Sequence, residues 1–161
     1  MSHKIIVEIL EAEQWSRLRD IRLRSLQINP EAFGGIYETE ASEGESTWRE
    51  KFIKNDFLLA SVDNFDAAMM YIELLEGDFG ATCWIGGCWS DPKYRGNGLF
   101  TAMMAFIDSQ NCGWDVQGLG VFTDNFSAIA AYEKLGFKKM GEETPSTRQP
   151  GKFYQRMIRR S

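Results

Sequence analysis

Apolar positions in this chain follow two rhythms. Short runs rich in β-branched and aromatic residues predict strands at Lys4–Leu10, Phe57–Val62, Ala67–Leu75, Ala81–Trp89, Gly118–Thr123, Phe137–Gly141 and Phe153–Ile158. Between the first two, Trp15, Leu18, Ile21 and Leu26 recur at helical intervals until Asn29-Pro30 stops the pattern. Gly34-Gly35 opens a turn, an acidic stretch holds Glu38, Glu40, Glu43 and Glu45, and Trp48, Phe52 and Ile53 predict a short second helix. A third helix carries a broad apolar face of Leu99, Phe100, Met103, Met104, Phe106 and Ile107. A fourth starts at Asp124 or Asn125, both good N-caps, and runs through Ile129 and Leu135. It stops at Gly136, the residue type preferred just past a helix end. Strands follow one another around residues 57–89 and alternate with helices later. The pattern therefore predicts a mixed α/β (α+β) sheet covered by helices, not a doubly wound one. No repeat, low-complexity tract or linker divides residues 1–161, which read as one domain.

Composition narrows the chemistry. At 161 residues, 43% hydrophobic and 25% charged, with 11 Phe, 5 Trp and 5 Tyr, the chain has enough apolar surface for one packed core. Its formal charge of −5 repels nucleic acid, which is not expected as a partner. No apolar run approaches a membrane span, and Ile5-Ile6-Val7 is too short and too late for a signal peptide. Cys83, Cys88 and Cys112 are odd in number and sit in apolar sequence, as expected of reduced thiols in a cytoplasmic protein. They lack metal-finger spacing, and the single histidine, His3, stands in a terminus expected to fray. No metal is expected, and hydrolytic triads that need a histidine are disfavoured.

The most informative stretch is Trp89-Ser90-Asp91-Pro92-Lys93-Tyr94-Arg95-Gly96-Asn97-Gly98-Leu99-Phe100, where a strand gives way to a helix through a Gly-x-Gly turn. Glycines there let the backbone fold tightly and present successive N–H groups at a helix start, a nest that suits phosphate. Thr101 replaces the third glycine of a dinucleotide fingerprint, and the Gly-Lys-Ser/Thr of a P-loop is missing. A second stretch, Asn125-Phe126-Ser127-Ala128-Ile129-Ala130-Ala131-Tyr132-Glu133-Lys134-Leu135-Gly136-Phe137, reads by itself as a capped helix with a C-terminal glycine.

Together the two stretches resemble the GNAT superfamily of acetyl-CoA-dependent N-acetyltransferases. The family hallmarks are (Gln/Arg)-x-x-Gly-x-(Gly/Ala) and, further on, Asn-x-x-Ala-Ile-x-x-Tyr-x-x-x-Gly-Phe, and the second is matched at every specified position. The resemblance extends to Leu18-Arg19, Arg22-Leu23, Leu26, Pro30–Gly34 and Glu38 through Trp48, and so covers essentially the whole chain. Lys93 departs from the first hallmark, and Phe100 stands where a small residue is frequent, which crowds the loop. The resemblance implies a mostly antiparallel mixed sheet of about seven strands flanked by about four helices, in the order β-α-α-β-β-β-α-β-α-β-β. It implies acetyl-CoA as co-substrate, an amine acceptor, a cytoplasmic location and, as is frequent in the family, a homodimer. By the same resemblance, Arg95, Gly96, Asn97, Gly98, Leu99 and Phe100 would cradle the pyrophosphate. Cys88, Trp89 and Ser90 would pair with pantetheine through their main chain, and Asn125 and Tyr132 would contact the cofactor.

The residues add chemistry of their own. Gly86-Gly87 inside a strand signals a bulge, or else close packing under a large aromatic. A bulge would part this strand from its neighbour and open a slot for a thioester, with a main-chain N–H such as that of Trp89 stabilising the oxyanion. A phenol has a pKa near 10, close above a thiol's, so Tyr132 is the candidate general acid for the departing thiolate. An alkylamine is mostly protonated at pH 7, and freeing it costs about 4.6 kcal/mol. In relatives that acetylate ribosomal-protein N-termini, a Glu that serves as base stands where this chain has Gly120. Glu38 and Glu40 are the candidate bases or acceptor-amine contacts, with Glu73 a further substitute, and an acidic lip formed by the first two would suit a cationic acceptor. Two rivals stand beside a transferase: a non-catalytic acyl-CoA-binding or sensing module of the same fold, and a general phosphate-ligand binder using Gly96-Asn97-Gly98.

Overall fold

The computed structural model describes residues 4–74, 76–110 and 114–160. His3, Leu75 and Cys112 lie outside the described residues. The strands are β1 (Ile5–Ile9), β2 (Asp56–Val62), β3 (Phe65–Glu73), β4 (Cys83–Ser90), β5 (Val116–Phe122), β6 (Lys138–Pro145) and β7 (Phe153–Arg160). They form one sheet in the order β1-β2-β3-β4-β5-β7-β6. Only β4 and β5 run parallel; every other neighbouring pair is antiparallel. The α-helices are α1 (Trp15–Ile28), α2 (Tyr37–Ala41), α3 (Glu45–Lys54), α4 (Leu99–Ser109) and α5 (Phe126–Lys134).

Among the described residues five α-helices stand where about four were expected. The extra one is α2, a single turn with no apolar stripe of its own to announce it. Its Tyr37 and Ala41 pack against the α1 side of the sheet, and Glu40 is tied to α1 by Arg22, so tertiary contacts hold a segment whose own periodicity is silent.

Alternation along β2 and β3 divides the core in two. Leu58, Ala60, Val62, Met70 and Ile72 face α4 and α5, packing with Met103, Met104, Ile107, Ile129 and Tyr132. Phe57, Leu59 and Met69 face α1 and α3, packing with Leu18, Ile21, Leu26 and Trp48. Strand β2 is buried from Phe57 to Val62 because both its faces are covered, whereas β6 is a largely exposed edge. The β2–β3 hairpin turns on Asp63 and Asn64, both at positive φ, as a tight hairpin turn requires. Gly136, at φ +97°, ends α5 where the sequence places the stop. Among the described residues, no helix is long and apolar enough to cross a membrane.

Candidate active site

Strands β4 and β5 are paired only where Cys83–Ile85 lie beside Gln117–Leu119. Beyond that, β4 stays bonded to β3 as far as Ser90 and β5 to β7 as far as Phe122, while the two part from each other. The cause is local. Tyr71 is in register with Gly86 and Met69 with Trp89, so β4 carries one residue more than β3 in this interval, which is a β-bulge. Gly87 adopts φ +61°, and a Cβ on Gly86 would overlap the Tyr71 ring. The glycine pair thus serves both purposes that the sequence suggests: it makes the bulge and lies under an aromatic.

The parted strands open a wedge that joins a cavity of about 960 Å³. Gly86, Gly87, Cys88, Leu119–Phe122, Asn125 and Tyr132 line it at the wedge. Tyr132, on α5, is 8% exposed. Its ring makes edge contacts with Phe100 on α4 (5.2 Å between centroids) and Phe137 (6.0 Å). The Tyr132 hydroxyl and the Cys88 thiol lie close enough to interact. Burial pushes the Cys88 thiol up to about 12 and, with the adjacent Cys88, holds the Tyr132 phenol well above its ordinary value. Both stay protonated at neutral pH, so the wedge offers a neutral proton donor in a dry setting.

The Gly-x-Gly turn lies at the start of α4. Asp91 is buried, pairs with Arg24 (3.2 Å), and accepts from the main-chain N–H of Lys93 (3.0 Å), which fixes the exit from β4. Gly96 and Gly98 sit at φ +83° and +76° with nothing within 4 Å of where a Cβ would be. Their role is backbone conformation with open space in front. Asn97 closes the turn by donating to the Tyr94 carbonyl (2.8 Å), and Gly98 caps α4. Leu99 is buried in the core. Phe100 packs its ring against Tyr132. Arg95 points back, donating to the Ser90 carbonyl (3.0 Å) and to Asn29 Oδ1 (2.9 Å), an atom that also accepts from the Trp89 indole (3.0 Å). Lys93 is exposed. Asn125 Oδ1 caps α5 by accepting from the Ala128 N–H (3.3 Å) while the residue lines the wedge.

The acidic candidates separate. Glu38 is exposed and is not part of the cavity wall. Glu40 is in the wall, but Arg22 grips it at 2.8 and 3.0 Å, and the pair lies over Gly35. The acidic lip is therefore already neutralised by a cation from α1. Glu73 lines the cavity from β3.

Residues that the sequence does not single out complete this side. Tyr71 stacks over the bulge; burial raises its phenol, as do nearby Cys88 and Glu73, with Arg22 and Arg148 opposing. Arg148 and Tyr154 come from the β6–β7 hairpin and meet Gly34, whose would-be Cβ is 3.1 Å from Arg148 Cδ and 3.3 Å from the Tyr154 hydroxyl. The one signal available for Tyr71 was the Gly86-Gly87 pair it covers; the hairpin residues have no motif.

The sequence model of the acetyltransferase (GNAT) family matches residues 15–137, which spans α1 to the end of the α5 hallmark. The chain belongs to that family. GNAT structures also share its fold. An acetyltransferase of the GNAT family from Streptococcus pneumoniae superposes with a TM-score of 0.79 at 17% identity, covering 98% of this chain and 100% of that one. The yncA protein of Salmonella typhimurium, solved with its cofactor acetyl-CoA, gives 0.73 at 14% identity, covering 98% and 94%. The ribosomal-protein-S18-alanine N-acetyltransferase of Escherichia coli gives 0.70 at 19% identity, with the same coverages of 98% and 94%. No curated protein matches the sequence. In this GNAT chain both hallmark segments flank the wedge: the Gly-x-Gly turn begins α4, whose Phe100 touches Tyr132, and the second hallmark supplies Tyr132 itself.

Proposed function

We propose that this protein is an N-acetyltransferase that moves the acetyl group of acetyl-CoA directly onto a primary amine of a small molecule or a protein. The observation that carries the reading is a protonated, buried phenol, Tyr132, lining the wedge where β4 and β5 part. A thioester inserted there lies with its sulfur toward a donor and its carbonyl toward the bulged main chain of β4.

The pyrophosphate rests on the N–H groups at Gly96–Phe100, where the open space above both glycines supports close approach of an anion to the backbone. The pantetheine arm runs along Cys88, Trp89 and Ser90, whose side facing β5 has no strand partner. With Asn125 Oδ1 committed to its cap, the amide nitrogen is the group left for the cofactor.

In the reaction the amine nitrogen attacks the thioester carbon, forming the C–N bond and an oxyanion that a main-chain N–H such as that of Trp89 stabilises. Collapse breaks the C–S bond, and the thiolate takes the Tyr132 proton. The phenolate recovers a proton from solvent, and the amine gives up its own to a base. The Glu40 carboxylate, held by Arg22, is better suited to shaping the acceptor side than to accepting that proton. Steady-state thiol release from acetyl-CoA across a panel of amines tests the reading. Turnover with some primary amine, lost in Tyr132→Phe, is expected; no thiol release with any amine, despite bound acetyl-CoA, overturns it.

A further inference from the structure

The ionised side chains in the cavity wall are almost fully matched to one another. Arg22 pairs with Glu40 at 2.8 Å, Lys51 with Glu43 at 3.1 Å and Arg156 with Asp78 at 2.7 Å. Two are left over, Arg148 and Glu73, which form no ion pair among the described residues. The two leftovers are of opposite sign and line the same cavity as Tyr71, whose hydroxyl has no hydrogen-bond partner among the described residues. Tyr71 covers Gly86-Gly87 at the mouth of the wedge, so this point is where an acceptor must approach a thioester. Glu73 stands two residues from Tyr71 on β3 and lines the same cavity.

Arg148 is exposed, but its loop is fastened. Ser146 Oγ accepts from the main-chain N–H groups of Arg148 (3.2 Å) and Gln149 (3.0 Å). The Gln149 amide donates to the carbonyls of Pro30 (3.1 Å) and Phe33, and Lys152 Nζ donates to the Glu31 carbonyl (3.1 Å). The hairpin is thereby bound to the segment after α1, and Arg148 is set over Gly34 at the cavity rim. A guanidinium on an anchored loop, with no carboxylate of its own, is suited to paired hydrogen bonds with a planar anion.

Resting on the acetyl-transfer reading, we infer that the acceptor is a small amino acid-type amine, its carboxylate held by Arg148 and its amine directed to the thioester by Glu73 and the Tyr71 hydroxyl. A polycation is disfavoured, because the acids that would receive its extra charges are already paired. A zwitterion supplies one charge of each sign and leaves the cavity balanced. Neutral Tyr71 accepts a hydrogen bond from the amine, while Glu73 favours its approach and takes up its proton, directly or through water.

The test sets each proteinogenic amino acid against the amine that lacks its carboxylate, leucine against isopentylamine being one such pair, with thiol release as readout. The expected ratio of kcat/KM favours the amino acids by roughly 10–100-fold, the worth of one charge-assisted pair. In Arg148→Gln the ratio falls to near one, through KM for the amino acids, and Arg148→Lys restores part of it. Equilibrium binding of the same pairs to the CoA-loaded protein, or to the protein alone, gives the ratio without turnover. Equal binding of both series, tighter binding of polyamines, or a ratio unmoved by Arg148→Gln overturns the inference. Calorimetry with acetyl-CoA reports separately on acetyl transfer: bound acetyl-CoA and thiol release without amino acid preference sink this inference alone, whereas absent acetyl-CoA binding sinks the transferase reading.

Discussion

On the α4–α5 side of the wedge, Tyr132 meets Phe100, Phe137 and the Cys88 thiol in a setting dry enough to hold both titratable groups neutral. On the α1–α3 side, the wall is laced with ion pairs and rimmed by an arginine from a distant hairpin. The two sides meet two different demands. A group that must deliver a proton to a leaving thiolate benefits from a medium that disfavours its anion. A surface that must recognise a charged amine needs charges of its own, and these must be paired or they would cost desolvation without return.

The strongest way to break this comparison is at the dry side. Tyr132→Phe keeps the ring contacts and removes the hydroxyl, and turnover is expected to fall by roughly 10²-fold or more. Circular dichroism and thermal melting should show an intact fold. Unchanged turnover would remove the phenol from the chemistry and leave it a core aromatic.

The phosphate turn offers a second way to break it. Gly98→Ala places a side chain at φ +76°, a left-handed conformation costing about 1–2 kcal/mol, and puts a methyl into the open space in front of the loop. Acetyl-CoA affinity by calorimetry should weaken by about tenfold. Loss of acceptor affinity with normal acetyl-CoA binding would assign the turn to the wrong ligand.

On the charged side, Glu40→Gln leaves Arg22 half-buried without its carboxylate and should cost about 2 kcal/mol in urea unfolding. If stability holds while turnover falls steeply, Glu40 is a base after all and not a strut.

The smallest effect sharpens the contrast in dryness. Cys88 has its thiol raised from an ordinary 9.0 to about 12, so the unfolded chain loses that proton at lower pH than the folded one. The associated stability is complete below pH 9 and is lost as pH rises toward 12. It should fall by about 1.4 kcal/mol per pH unit within that window. Denaturation at pH 8 and pH 10 should therefore show a steeper loss in the native chain than in Cys88→Ala. Equal slopes would mean the thiol is well solvated.

What could be read from the residues alone divides along the same line. The dry side is built from contiguous stretches, with Asn125 capping a helix, Gly136 ending it and Gly96-Asn97-Gly98 turning a strand into another, so local rules identify it. Gly86-Gly87 announced the bulge, although not that the aromatic above it would be Tyr71. The charged side assembles residues from α1, α2, α3, β3 and the β6–β7 hairpin. Nothing in a linear pattern says that Arg22 reaches Glu40, or that β7 lies between β5 and β6 and carries Arg148 to the cavity rim. Helix α2 escaped for a related reason, since its contacts are tertiary and its own five residues show no period. Strand ends drifted by up to four residues, most of all in Phe137–Gly141, which forms Lys138–Pro145.

The short ladder between β4 and β5 has a mechanical consequence. Among the described residues, three register pairs, Cys83 to Gln117, Trp84 to Gly118 and Ile85 to Leu119, with the Thr82 N–H on the Val116 carbonyl (2.8 Å) just before them, stitch the four-stranded half of the sheet to the three-stranded half. An extended molecule with amide groups, slipped into the gap, acts as the missing rungs and clamps the halves together. The unliganded chain should then breathe first along this seam, with the amides of Cys88–Ser90 and Gly120–Phe122 exchanging with deuterium fastest among the central strands and slowing most once the gap is filled.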